Sequence, residues 1–171
     1  MILVGIGSNL PALGYASPLA TASAAVAELP KIGAAVLGCS PWYLSEPVPA
    51  SDQPWFVNAV AQVTTRLPAT ELLARLLALE ARFGRQRAER DAARTLDLDL
   101  LDYDGQQCSA PDLNLPHPRL HERRFVLAPL CDIAPDWRHP RLCLSAAELL
   151  ARLPPGQPIR RLADRALRSR G

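Results

Sequence analysis

The stretch TLDLDLL, residues 95–101, leaves the backbone few choices. Leu96, Leu98 and Leu100 alternate with Asp97 and Asp99, and a period of two marks a strand with one face against an apolar core. The two aspartates therefore share the other face, with Cα atoms roughly 6.5 to 7 Å apart. Neighbouring carboxylates raise one another's pKa unless a cation lies between them. A hard divalent ion supplies that charge: Mg²⁺ takes one or two protein carboxylates, keeps waters, and completes its shell with substrate phosphates.

The residues just before the strand carry the complementary charge. Arg82, Arg85, Arg87, Arg90 and Arg94 against Glu89 and Asp91 leave a local net charge of +3, and guanidinium forks suit phosphate oxygens. Carboxylates for a metal next to arginines for phosphates is the layout of phosphoryl transfer, where the protein mainly positions groups and offsets charge. Two plainer readings stand beside it. A Leu/Asp alternation also describes an edge strand with one solvated face, and with 18 arginines to a single lysine, Lys31, arginine clusters partly express a chain-wide preference.

The order of elements around this strand sets the fold. Ile2 to Gly7 is a short apolar strand running into the turn-rich GSNLPALG. Gly5 and Gly7 open no phosphate loop, since no GxxxxGK followed by Ser or Thr is present, and they read as a close approach of this strand to a ligand or a loop. Ser17 and Pro18 are N-cap and first-turn residues of a helix carrying Leu19, Ala22, Val26 and Leu29, closed by Pro30. Residues 34–43 read as a second strand, which Pro41 places at an edge or a bulge. A proline-pinned loop, 45–54, leads to a third strand, WFVNAVAQVTTR, whose alternation sets Phe56, Asn58, Val60, Gln62 and Thr64 opposite Trp55, Val57, Ala59, Ala61 and Val63.

Pro68 opens a second helix with Leu72, Leu73, Leu76, Leu77 and Phe83 in its apolar stripe, and Gly84 is its C′ stop. After the aspartate strand, Asp104-Gly105 predicts a hairpin into a short strand near Gln106 to Ser109. SAAELLARL predicts one more amphipathic helix, and PPGQP a hinge before a basic tail that is expected to be partly helical and outside the chemistry. Strand, helix, strand, strand, helix, strand is the order of an α+β ferredoxin-like sandwich, an antiparallel sheet with helices packed mainly on one face. Its open face is expected to carry Phe56, Asn58, Asp97 and Asp99.

RDAARTLDLDLL resembles the signature of the 6-hydroxymethyl-7,8-dihydropterin pyrophosphokinases, folate-pathway enzymes that move pyrophosphate from ATP to a pterin alcohol. Arg90, Ala92, Ala93, Arg94, Asp97, Asp99, Leu100 and Leu101 fall in register with it. GSNL is similar to the family's N-terminal motif, QPWFVNAV to its pterin-site motif, and PHPRLHERRFVLAPLCDIAP, residues 116–135, to its C-terminal signature.

The resemblance implies ATP as co-substrate and Mg²⁺, two ions, held by Asp97 and Asp99. It places Arg85 and Arg94 with those acids in catalysis, and Glu80, Arg87, Arg90, His117 and Arg123 around the nucleotide. A pterin is a flat heteroaromatic ring with an amide-like edge, which calls for an aromatic plane and an Asn-type side chain. Phe56 and Asn58 supply these, although on chemistry alone a strand Phe is more often core; the resemblance adds Phe125 as the second aromatic, and Ser45, Pro47 and Val48 as backbone around the ring. Arg119 and Arg124 are left as surface or more distant charges. Two positions depart from the family pattern. Glu46 stands where proline is usual, on the pterin rim, and Asp91 stands where an aromatic packs in the closed loop, which predicts intact chemistry with altered loop closure.

Composition bounds the alternatives. A chain of 171 residues, 49% hydrophobic and 21% charged, suits one soluble domain, taken as 1–155 with 156–171 as the tail. A net charge of +2 argues against a dedicated nucleic-acid binder; the strands also lack the aromatic pattern of an RNA-binding module, and paired aspartates would repel phosphate. A simple kinase or a nucleotidyltransferase using the same acids stays open, differing in the nucleotide product. The N-terminus has no basic leader region and no segment reaches the length of a membrane span, so a cytoplasmic monomer is expected. Cys39, Cys108, Cys131 and Cys143 form no CxxC pair and are expected to be free thiols. His117 and His121 have the spacing of a helical zinc pair, but Pro118 interrupts and no third ligand follows.

Overall fold

The computed structural model describes residues 1–85 and 93–163. Arg87, Arg90 and Asp91, together with the tail from residue 164 onward, lie outside the described residues. In chain order the elements are β1 (Ile2–Ser8), α1 (Pro18–Glu28), β2 (Ala35–Cys39), β3 (Tyr43–Ser45), β4 (Phe56–Thr64), α2 (Ala69–Arg82), β5 (Asp97–Tyr103), β6 (Cys108–Ala110), β7 (Leu113–Leu115), α3 (Arg124–Ile133), α4 (Ala146–Arg152) and β8 (Ile159–Arg161).

Local chemistry sets several of these boundaries. The Ser17 hydroxyl accepts the Ala20 N–H at 3.1 Å and starts α1. Regular helix stops at Glu28, two residues before the expected Pro30, because the chain tightens into a 3₁₀ turn over Leu29–Ile32 that ends at Gly33, φ +89°. Gly84, φ +78°, follows α2 in the left-handed conformation that releases a chain from a helix. The single strand expected over 34–43 is two strands, interrupted at Ser40-Pro41. Proline cannot donate to the ladder, and Ser40 bridges the gap: its N–H donates to the Val60 carbonyl at 2.9 Å and its hydroxyl accepts the Val60 N–H at 3.0 Å.

The main sheet runs β5-β1-β4-β3-β8, with β2 pairing beside β3 along the same edge of β4, and every named pair is antiparallel. This is the expected ferredoxin-like α+β order. One face carries Ile2, Val4, Ile6, Val57, Ala59, Ala61, Val63, Leu98 and Leu100, packed on Ala22 and Ala25 of α1 and Leu72, Leu76 and Leu79 of α2. Full burial of each of those α2 leucines is worth roughly 1.5–3 kcal/mol.

The two longest helices thus share one face, as expected, while α3 and α4 cover part of the other, on Leu3, Val60 and Leu101. A bulge shapes this second layer. Val4 pairs with Leu100 but Leu3 pairs with Asp102, so Leu101 is an extra residue and turns to the second face beside Val60. Asp102 follows it under α3, 2% exposed, and accepts the Trp137 indole N–H at 2.6 Å.

Two expectations about the C-terminal half need correction or relocation. Asp104-Gly105 makes a tight turn with both φ values positive, but the strand that follows does not fold back on β5. Cys108–Ala110 pairs forward with Leu113–Leu115 in a separate ribbon. The first part of the tail enters the sheet, where Ile159–Arg161 pairs with Tyr43–Ser45. No helix among the described residues is long and apolar enough to cross a membrane, and all four cysteines are free.

Candidate active site

Three strands lay out a cleft on the half of the second face that α3 and α4 leave uncovered. Gly7 of β1 pairs with Asp97 on one side and Asn58 on the other; Gly5 pairs with Asp99 and Val60. Side chains in one cross-strand row point to one face, so these rows carry the acids at β5, nothing beyond backbone at β1, and the amide at β4. The two glycines make the floor. A Cβ at Gly7 would stand 3.4 Å from Asn58 Oδ1 and 3.6 Å from the Asp97 Cβ. The close approach expected of these glycines is therefore toward the space above the sheet at Gly7, whereas a Cβ at Gly5 would meet the Leu101 side chain at 3.3 Å. Phe56 and Ser45 extend the lining beyond Asn58, and Phe125 and Val126 of α3 line the same cleft. The cleft encloses about 880 Å³, part of it open to solvent.

Its charged end is held by guanidiniums. Arg85 Nη1 donates to Asp97 Oδ1 at 2.7 Å, Arg94 Nη1 to Asp97 Oδ2 at 3.0 Å, and Arg123 Nη1 to Asp99 Oδ2 at 3.2 Å. Burial and the neighbouring Asp99 push the Asp97 carboxyl up, against the pull of Arg94, Arg85 and Arg123. Burial works against the Arg85 charge, but Asp97 and Glu80 outweigh it and raise its pKa. Glu80 sits below, 3% exposed, accepting from Arg85 and from the Leu98 N–H at 2.6 Å. Burial pushes it up to about 7 in spite of both donors.

Whether these acids suit a divalent ion follows from their partners. Two carboxylates sharing a face and pointing at a cleft need positive charge, which arginines provide here from three directions. Among the described residues no cluster of three His, Cys, Asp or Glu could cage a metal. The donor set suits an oxygen-seeking ion that takes two protein carboxylates and fills its shell from phosphates and water, as Mg²⁺ does.

Comparison with known proteins decides the family. The family model for 7,8-dihydro-6-hydroxymethylpterin-pyrophosphokinase matches residues 3–135. This chain belongs to that pyrophosphokinase family. It is 41% identical over 140 residues to the 2-amino-4-hydroxy-6-hydroxymethyldihydropteridine pyrophosphokinase of Synechocystis, covering 81% of this chain and 69% of the relative. The enzyme of that name from Pseudomonas aeruginosa is also 41% identical over 140 residues, covering 81% of this chain and 83% of the relative. Among solved structures, the wild-type HPPK-DHPS of Plasmodium falciparum with STZ-DHP superposes with a TM-score of 0.67 at 12% identity, which speaks to fold alone. The match covers 88% of this chain and 42% of that one.

Of the residues that the pyrophosphokinase resemblance implies, Ser45, Val48, Phe56, Asn58, Arg94, Asp97, Asp99, Arg123 and Phe125 line one cleft. Phe56 and Asn58 share a face as expected, and Asn58 Nδ2 donates to the Ser45 hydroxyl at 2.9 Å. The Arg123 guanidinium lies 5.5 Å from the centre of the Phe125 ring. Arg85 touches the cleft through Asp97 and Glu80 only through Arg85. Pro47 is buried beneath the rim without lining the cleft.

His117 stands behind Asp99, with Nε2 3.9 Å from its Oδ1, while its Nδ1 accepts the Arg119 N–H at 3.2 Å. That acceptor role puts its proton on Nε2, facing the acid. Burial lowers its pKa despite Asp99 nearby.

Several cleft residues escape the sequence analysis. Arg119, expected at the surface or at a distance, lines the cleft, as do Glu122 and Gln157. Asn9, 1% exposed, holds the approach to the acids: its Oδ1 accepts the Arg94 N–H at 2.7 Å, and its Nδ2 donates to the Pro54 carbonyl at 3.1 Å. The GSNL motif was the signal for it.

Proposed function

We infer that the chain transfers pyrophosphate from ATP to the hydroxymethyl oxygen of 6-hydroxymethyl-7,8-dihydropterin and releases AMP, the activity of its family in folate synthesis. The observation that carries this is the shared row Asp97, Gly7, Asn58. One floor joins a paired-acid end suited to a metal-bound triphosphate and an aromatic-amide end suited to a pterin, so nucleophile and phosphorus meet above β1.

Each end has its own work. At the pterin end the Asn58 amide, fixed by Ser45, presents its oxygen to the N–H edge of the ring, and Phe56 and Phe125 offer apolar faces to its plane. At the phosphate end Arg85, Arg94 and Arg123 stand on the carboxylates and can turn from them to phosphate oxygens as the nucleotide enters. Asp97 and Asp99, so released, would hold Mg²⁺, two ions, which when bound offsets charge on the phosphates and lowers the barrier to in-line displacement. The pterin oxygen forms a bond to the β-phosphorus as the bond from that phosphorus to the α-β bridging oxygen breaks. The electron pair leaves on AMP, and the hydroxyl proton passes to solvent. His117 and Arg119 sit where they can meet the phosphates. A monomeric, cytoplasmic enzyme completes the proposal.

The test is the nucleotide product. With ATP, Mg²⁺ and the pterin alcohol, AMP should form in step with pterin diphosphate, and Asp99→Asn should slow both together by roughly 10²–10³. ADP would indicate a simple kinase, and free pyrophosphate a nucleotidyltransferase.

A further inference from the structure

The family match ends at residue 135, yet a side chain well beyond it faces the cleft. Gln157 lines the wall next to Ser45, Glu46 and Val48. Its Nε2 donates to the Glu46 carbonyl at 2.8 Å, and the Glu46 N–H donates to the Pro158 carbonyl at 3.2 Å. Both backbone polar groups of Glu46 are thus satisfied by one short C-terminal segment. The segment is anchored in turn: β8 sets Ile159 opposite Ser45, and the Leu162 N–H donates to the Trp42 carbonyl at 2.8 Å.

Glu46 is where the wall needs support. Pairing between β3 and β4 ends with Ser45 opposite Phe56, so past Ser45 the chain leaves the central sheet. The stretch beyond carries Val48 into the cleft, and the residue before it receives the Asn58 amide. A peptide at a strand end has many conformations open to it unless its N–H and C=O are both engaged.

We propose that Gln157 is a positioning residue for the pterin end of the cleft: with Pro158 and β8 it fixes the Glu46 peptide, and so the wall from Ser45 to Val48 against which the substrate ring is seated. The inference rests on the pyrophosphokinase activity proposed above. Ordering this wall in advance spares substrate binding that cost. The phosphate end is held separately by Arg85, Arg94 and Arg123 across β5, so the influence of Gln157 is confined to one substrate.

Steady-state kinetics with each substrate varied in turn tests this. Gln157→Met keeps the length and loses the donor; Gln157→Glu sets an acceptor against the Glu46 carbonyl. Both variants should raise KM for the pterin about five- to tenfold, the range of one neutral hydrogen bond, with KM for ATP, kcat and the melting temperature little changed. A pterin KM within about twofold of wild type in both overturns the role of Gln157, and so does an equal rise in both KM values. Wild-type protein that forms no AMP overturns the activity and this inference together, and is seen before any variant is made.

Discussion

Asn58 and Asp97 stand on opposite sides of Gly7 in a single row of the sheet. The absence of a side chain at that residue keeps the two ends of the cleft continuous. A methyl group there would meet its neighbours at 3.4 Å and 3.6 Å, ordinary contact distances, so Gly7→Ala should fold with a melting temperature within a few degrees of wild type. It would still occupy the space where the reacting groups meet. Displacing them by an ångström costs on the order of a hundredfold, so kcat/KM should fall about ten- to a hundredfold. Unchanged kcat/KM in a well-folded variant would show that no substrate approaches this floor.

Asp97 and Asp99 should differ in stability and agree in chemistry. Asp97 takes two guanidiniums and Asp99 one. Asp97→Asn removes the negative charge that Arg85 and Arg94 share, at a cost of about 1–2 kcal/mol after allowing for solvent reaching the cluster. Asp99→Asn should cost less than about 1 kcal/mol. Both should lower kcat by roughly 10²–10³ if each helps to hold charge at the transferring phosphorus. Urea melts and single-turnover rates on the two variants separate the effects, and full activity in either would remove that acid from the mechanism.

Much of this site is legible in short-range pattern. Leu96, Leu98 and Leu100 alternate with the acids, and all three leucines are buried, because a strand's period fixes its two faces. The same rule puts Phe56 beside Asn58. What was not legible depends on partners distant in sequence. Nothing in DLDLLDY says whether Leu100 or Leu101 keeps the first face; the bulge opposite Leu3 and Val4 decides it. Pro41 announces a break but not that Ser40 would bridge it through Val60. The Asp104-Gly105 turn is local, whereas the choice of Leu113–Leu115 as partner for Cys108–Ala110 is made by packing. Gln157 reaches a loop 111 residues away, a pairing that no periodicity encodes.

Asn9 should prove as important as a cleft residue without touching substrate. Its amide ties the end of β1 to the Arg94 backbone and to Pro54, and the Asn9 and Leu10 N–H groups both donate to the Arg94 carbonyl at 3.1 and 3.2 Å. Asn9→Ala leaves the Arg94 N–H and the Pro54 carbonyl without these partners, at about 1–3 kcal/mol, and loosens the residue that carries a guanidinium to Asp97. Thermal melts should drop accordingly, and kcat should fall more than KM for the pterin. A variant with lowered stability but unchanged kcat would confine Asn9 to the scaffold.

His139 gives the fold an acid-sensitive point remote from the cleft. It is 3% exposed, and its Nδ1 accepts the N–H groups of Arg141 and Leu142, each at 3.2 Å. Protonating Nδ1 would turn that acceptor into a donor facing two donors. Burial first, and then neighbouring His121, lower its pKa below the ordinary 6.5. With the folded pKa depressed, the unfolded chain binds the proton more readily. The contribution of His139 to stability is therefore fully present above pH 6.5 and is lost as pH falls below that value through the folded pKa. Asparagine can keep an oxygen near the two N–H groups and does not titrate. His139→Asn should melt lower than wild type at pH 7.5 yet lose less on going to pH 5.5. Equal losses in the two proteins would place the acid sensitivity elsewhere, on a group such as His117, whose pKa burial also lowers.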